Sequence, residues 1–147
     1  MPKDLTLLIY RILLVAIFPV SAYYKITEWP AIAVQVARAG IPYPYQLSMI
    51  GTFAELTLPF LVMLGIWTRW ALAGLLVFLI AATYIGHPVW RVAPEAFFAQ
   101  LMEFMKNLGM AGGLLVLLVF GPGRFALERT SEAEGEATPP QEPAETV

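Results

Sequence analysis

Four long apolar stretches, separated by shorter polar or turn-forming segments, set the organisation of this chain. A bilayer hydrocarbon core is about 30 Å thick, so at about 1.5 Å per residue a spanning helix needs about 20 largely apolar residues. Leu5 to Tyr24 qualifies with one charge, Arg11, and Tyr45 to Trp67 qualifies with one, Glu55. Trp70 to Val89 has no charged residue unless His87 is protonated, and Leu101 to Phe120 holds Glu103 and Lys106. The expected fold is all-α, an integral membrane four-helix bundle. Only Thr68 and Arg69 separate the second and third stretches, which makes those helices antiparallel neighbours with Trp67 and Trp70 at one interface. Tyr23, Tyr24, Trp29, Tyr43, Tyr45 and Trp90 fall at the other predicted helix ends, where amphipathic rings favour the headgroup level.

The connection from Lys25 to Pro44 carries Ile32, Val34, Val36 and Ala37 interleaved with Gln35 and Arg38, a pattern that predicts a short interfacial helix ending before Gly40 and Pro42. Trp90 to Gln100 reads as a loop or short turn. From Glu128 the chain is acidic, contains Pro139, Pro140 and Pro143, and lacks aromatic residues, a signature of disorder. Two regions are expected: a four-span domain over 1–127 and an acidic tail over 128–147. An even number of spans puts both termini on one side, and the Lys and Arg excess there favours the cytoplasm. A rival reading takes Lys3 and Arg11 as a signal-peptide n-region, Ile12 to Val20 as its apolar core and Val20-Ser21-Ala22 as a cleavage site. The length of the apolar run beginning at Leu5 favours a spanning helix instead.

Composition strengthens the membrane reading. Hydrophobic residues make up 59% and charged residues 14%, against about 45–50% and about 25% in soluble domains. The chain has no cysteine, which removes iron–sulfur clusters, disulfide frameworks and thiol catalysis, and its one histidine leaves no pair of ligands for a b-type haem. The net charge of −2 conceals eight basic and five acidic side chains before residue 128, and one and six from there on. Scattered basic residues indicate no nucleic-acid surface, and no nucleotide-binding, nucleophile-elbow or metal motif is present, so no metal site is expected.

Charges inside hydrocarbon are expensive and tend to face a protein interior, so Arg11, Glu55 and Lys106 are the candidate site residues. With each helix centred in the bilayer, Glu55 lies at the midplane, Arg11 roughly 5 Å to one side and Lys106 roughly 7 Å to the other. That spacing predicts one buried carboxylate between two cations. Glu55 shares a helix face with Ser48, Gly51, Thr52 and Pro59, and Lys106 shares one with Gly109 and Gly113, a GxxxG spacing that suits close helix packing. The cluster reads either as a register-fixing ion pair or as a polar pocket that binds a carbonyl and exchanges a proton. His87, in Gly86-His87-Pro88-Val89-Trp90, is either an interfacial cap or a proton donor at the pocket mouth. Lys25 and Glu28 are expected to pair with each other at the interface.

Several segments, taken in order, are similar to the DoxX family of small membrane proteins. They are Arg11, Phe18, Ser21 and Lys25; Gly40-Ile41-Pro42; Glu55-Leu56; Leu64-Gly65-Ile66-Trp67-Thr68-Arg69; His87-Pro88-Val89-Trp90; Phe104-Met105-Lys106-Asn107-Leu108; Gly112-Gly113-Leu114-Leu115; and Gly121-Pro122-Gly123-Arg124. Ala22, Val89 and Glu128 depart from the family pattern, in place of a glycine, an aromatic residue and an aspartate. The resemblance implies a four-helix bundle in the bacterial inner membrane and a role as an oxidoreductase or oxidoreductase subunit. It further implies quinone as the cofactor or substrate and a redox protein as partner. A membrane scaffold that can self-associate as a homo-oligomer, and a small proton-coupled transporter, are the alternatives.

Overall fold

The structure, a computed structural model, describes residues 3–128. It contains six helices: α1 Lys3–Val15, α2 Ile17–Thr27, α3 Trp29–Arg38, α4 Pro44–Leu64, α5 Thr68–Gly86 and α6 Pro94–Phe120. Taken together, α1 and α2 form the first span, Lys3–Thr27, so four spans are present as the sequence predicts. Ala16 interrupts the first span, three residues before Pro19. A proline has no N–H to donate to the carbonyl four residues earlier, here that of Val15, which interrupts the hydrogen-bond ladder, while Ala16 keeps helical dihedrals at φ −61° and ψ −27°.

Several boundaries differ from expectation. The fourth span begins at Pro94, so most of the predicted 90–100 loop is helix, started by a proline that loses no helical hydrogen bond at that position. The interfacial helix forms as α3, with Ala33 and Val36 buried and packed toward α4 and α5. The α4–α5 turn is Gly65-Ile66-Trp67, and Thr68 and Arg69 already belong to α5. Ile66 N–H donates to the Leu61 carbonyl at 2.9 Å and Gly65 sits at φ 73°, the glycine-ended helix stop that satisfies otherwise orphaned carbonyls.

The core lies where α1, α2, α4, α5 and α6 meet, around Val15, Phe18, Val62, Leu72, Leu75 and Leu114. The segment after α6 folds back beneath the α4–α5 turn. Leu127 and Glu128 donate their backbone N–H groups to the Leu64 and Gly65 carbonyls at 3.1 and 2.9 Å, and Trp67 N–H donates to the Glu128 carboxylate. The ordered fold therefore includes Glu128, one residue past the expected boundary, and the rest of the expected acidic tail lies outside the described residues.

A Cβ on Gly65 would stand 2.5 Å from the Ala126 backbone, at a left-handed φ. Gly65→Ala is expected to destabilise the bundle by more than the about 1–2 kcal/mol of left-handed strain alone. Gly109→Ala, with no atom within 4 Å of its new methyl group, should leave the melting temperature unchanged or raised. Thermal unfolding of both variants in detergent, with similar losses in each, would contradict this account.

Candidate functional site

The three predicted intramembrane charges do not form one cluster. Glu55 is 3% exposed, nine residues before the end of α4, which places it about 14 Å from the turn and near mid-bundle. Its partner is Lys25, whose Nζ lies 2.7 Å from the Glu55 Oε2. Lys25 had been expected to pair with Glu28 at the interface; it pairs into the bundle instead, because α2 packs against α4, which carries the buried Glu55. The same ammonium stands 5.0 Å from the centre of the Phe78 ring, within reach of a cation–π contact, and Phe78 meets Phe18 edge to face at 6.5 Å. Lys25 is 22% exposed, so it is the accessible member of the pair.

Ser48, Thr52, Glu55, Pro59 and Val62 form the buried stripe of α4. Ser48 donates to the Pro44 carbonyl at 2.6 Å. Thr52, one turn before Glu55, has a buried hydroxyl with no hydrogen-bond partner among the described residues. An unpaired polar group is costly where water is absent, which makes the Thr52 hydroxyl spare capacity beside the ion pair.

Arg11 is 1% exposed and belongs elsewhere. Its guanidinium donates to the Pro122 carbonyl at 3.2 Å and the Phe125 carbonyl at 3.1 Å, level with the α4–α5 turn. The sequence-based depth fails because the first span, 25 residues and about 37 Å long, exceeds the hydrocarbon thickness and extends past that turn at the terminal end. Lys106 pairs with Glu103 on its own helix, with both side chains 43% exposed. Next to it, Asn107 donates to the Thr83 hydroxyl at 2.9 Å, which places Lys106 within about one turn of the far end of α5.

His87 caps α5 and bonds through Nδ1 to the Gln100 side chain at 2.9 Å, joining α5 to α6. Gly113 is packed tightly by Leu14 and Tyr10, whereas Gly109 has nothing within 4 Å, so the GxxxG spacing supplies one close contact and not two. Among the described residues no group of three or more His, Cys, Asp or Glu side chains could hold a metal. The signal for Lys25 was present in the sequence: at 100° per residue it falls close to Phe18 on the wheel of the first span, beside the face that is buried.

Comparison with known proteins agrees with this architecture. The family model for DoxX matches residues 6–88. The chain belongs to the DoxX family. It is 33% identical over 128 residues to the inner membrane protein YphA of Escherichia coli (strain K12), covering 86% of this chain and 91% of that one. It is 24% identical over 127 residues to the inner membrane protein YqjF of the same organism, covering 86% and 92%. No solved structure gives a significant match. Among the described residues of this DoxX chain, the charges within the spans form one largely buried ion pair, Lys25–Glu55, one buried arginine, Arg11, and one exposed pair, Glu103–Lys106.

Arg11→Met removes both donors to the 121–128 segment. The expected result is faster amide exchange at Leu127 and Glu128 and a stability loss on the order of 3 kcal/mol, since each bond to a charged donor is worth about 1.5–3 kcal/mol. Unchanged exchange at those two amides would show that Arg11 does not hold the segment.

Proposed function

We propose that this DoxX-family protein is a small-molecule-binding component of a quinone-linked oxidoreductase system, with Lys25 and Glu55 as its ligand-handling pair and both termini in the cytoplasm. The observation that carries the reading is the asymmetry of the pair: a carboxylate 3% exposed holds an ammonium that is 22% exposed. Lys25 has three N–H donors, and Glu55 accepts one, leaving donors for a carbonyl oxygen. Thr52 adds a hydroxyl whose hydrogen-bonding capacity is unused. These groups fit a quinone head, which offers carbonyl oxygens and an apolar ring.

A bound quinone supplies two-electron redox chemistry, and its reduction takes up two protons. The electrons would come from a redox partner protein and the two protons from water. Lys25 binds and polarises the carbonyl and holds a proton at Nζ; Glu55 fixes the Lys25 position and keeps the ammonium from being an unpaired charge in hydrocarbon. Arg11 has no part in this chemistry, because it is spent on backbone carbonyls at the terminal end. His87 and Lys106 stand toward the far end, bonded to Gln100 and Glu103. That same use of charge for helix anchoring favours a second reading, a non-catalytic membrane scaffold.

The two readings separate in the double variant Lys25→Gln, Glu55→Gln, which removes the charges without leaving either one unpaired. Purified in native lipid, the parent protein should retain extractable quinone. The double variant should retain roughly tenfold less, the equivalent of one charge-assisted hydrogen bond, while keeping its helical content. Equal quinone in both proteins, or none in the parent, would leave the scaffold.

A further inference from the structure

We infer that the buried stripe of α4 is a one-sided path for water and protons, which runs from the far end of the bundle through the Ser48 and Thr52 hydroxyls to Glu55 and is closed beyond it by Pro59 and Val62. Such a path needs no ligand at Lys25. It goes beyond the ligand-handling reading of the ion pair by setting the side from which water reaches it, the side away from both termini.

The far end of α4 is at Pro44, between Tyr43 and Tyr45, which are 72% and 58% exposed and mark the headgroup level. Ser48, Thr52 and Glu55 follow at intervals of four and three residues, so they share one face and lie about 6, 12 and 16 Å along the axis from Pro44. All three are buried. The structure joins neither Ser48 to Thr52 nor Thr52 to Glu55 directly. Successive groups stand about 4.5–6 Å apart along the axis, close to twice the length of one O–H···O hydrogen bond, about 2.8 Å. One water oxygen between each pair completes the chain.

The hydrogen bonds already made leave the capacity such waters require. Ser48 donates its proton to the Pro44 carbonyl at 2.6 Å, so its oxygen is still open to accept. The Thr52 hydroxyl is buried and has no hydrogen-bond partner among the described residues. Glu55 takes the Lys25 bond at Oε2, and its Oε1 receives none among the described residues. A buried hydroxyl left unbonded gives up its hydration without replacement, and a buried water needs at least two polar partners. Ser48 with Thr52, and Thr52 with Glu55, supply two each. Room is present as well: of the residues that α2 and α3 bury as they pack on α4, Ala22 and Ala33 carry only a methyl group.

Beyond Glu55 the same stripe turns apolar. Pro59 comes one turn later, and Val62 is fully buried in the cluster it shares with Val15, Leu72 and Leu75. Water therefore has hydroxyls to follow on the far side of Glu55 and none along this stripe on the terminal side. A proton passes by relay: each oxygen accepts one from the side of Pro44 and gives one toward Glu55, once the Ser48 hydroxyl has turned about its Cβ–Oγ bond. One proton enters, one is added at Glu55 Oε1, and every oxygen between is left as it began. The reverse sequence returns it.

The test uses the full-length protein in lipid bilayers with no ligand added, and its probe is water. Solid-state NMR follows magnetisation passed from water protons to side-chain carbons. In the parent it should reach Ser48, then Thr52, then the Glu55 carboxyl carbon, while Val62 stays as dry as the core residue Leu75. Thr52→Val keeps the shape and removes the hydroxyl, so transfer to Glu55 should fall about fivefold, the occupancy lost with one ordinary hydrogen bond. Thr52→Ser keeps the hydroxyl and should transfer as the parent does. A parent Glu55 as dry as Leu75, or undiminished transfer in Thr52→Val, would overturn the path. Equal losses in Thr52→Val and Thr52→Ser would assign the effect to packing and overturn the hydroxyl relay. Transfer to Val62 as fast as to Glu55 would overturn the closure on the terminal side. None of these readouts involves a quinone, so a parent that retains no quinone leaves the path standing.

Discussion

Lys25 and Glu55 lie 2.7 Å apart near mid-bundle, and neither can stand alone in hydrocarbon. The carboxylate is placed by the buried stripe of α4, so the ammonium has to come to it. The second half of the first span packs on α4, where the long lysine side chain makes the contact. The ion pair and the lack of contact between α2 and α6 go together, because a helix tied to α4 by its lysine stays clear of α6.

The terminal end is organised by a different requirement. The α4–α5 turn leaves carbonyls at the end of α4 and N–H groups at the start of α5 without partners inside their helices. The 121–128 segment supplies partners of both kinds: backbone donors from Leu127 and Glu128, and a carboxylate acceptor from Glu128 for Trp67. Arg11 fixes that segment from the other side by donating to its carbonyls. A buried guanidinium suits the task because its planar fork serves two acceptors at once and stays charged. The segment thus links the helix ends to the arginine without a carboxylate partner for Arg11, whose Nε and the nearby Thr68 hydroxyl stay buried without hydrogen-bond partners among the described residues.

The sequence made the four spans legible because each needs only length and apolar content, and Glu55 stood out because a charge at mid-span is costly. Its partner was not legible by the same reasoning. Depth estimates centred every helix in the bilayer, whereas the first span is longer than the hydrocarbon and slides until Arg11 meets the α4–α5 turn. A shift of that size moves Arg11 away from Glu55 and brings Lys25 toward it. Pro19 was visible in the sequence, but which neighbour α2 packs against depends on where its lysine finds a counter-charge. Glu103 and Lys106 were separable from the cluster in principle, since a spacing of three residues on one helix favours a local pair.

The division of charges also bears on where chemistry can occur in so small a bundle. Arg11 is buried and committed to backbone, so a ligand there would have to displace the segment that closes the terminal end. Lys106 is open but paired near the far end, where water and headgroups compete for it. Lys25 alone combines a fixed position, a counter-ion that stays out of reach and partial exposure of its own side chain. A lysine suits that position better than an arginine: its compact ammonium can bind Glu55 and still turn a remaining N–H outward, where a guanidinium filled by a bidentate carboxylate would present its plane. Burial of the acid and exposure of the base are what convert a helix-anchoring pair into one able to meet a ligand.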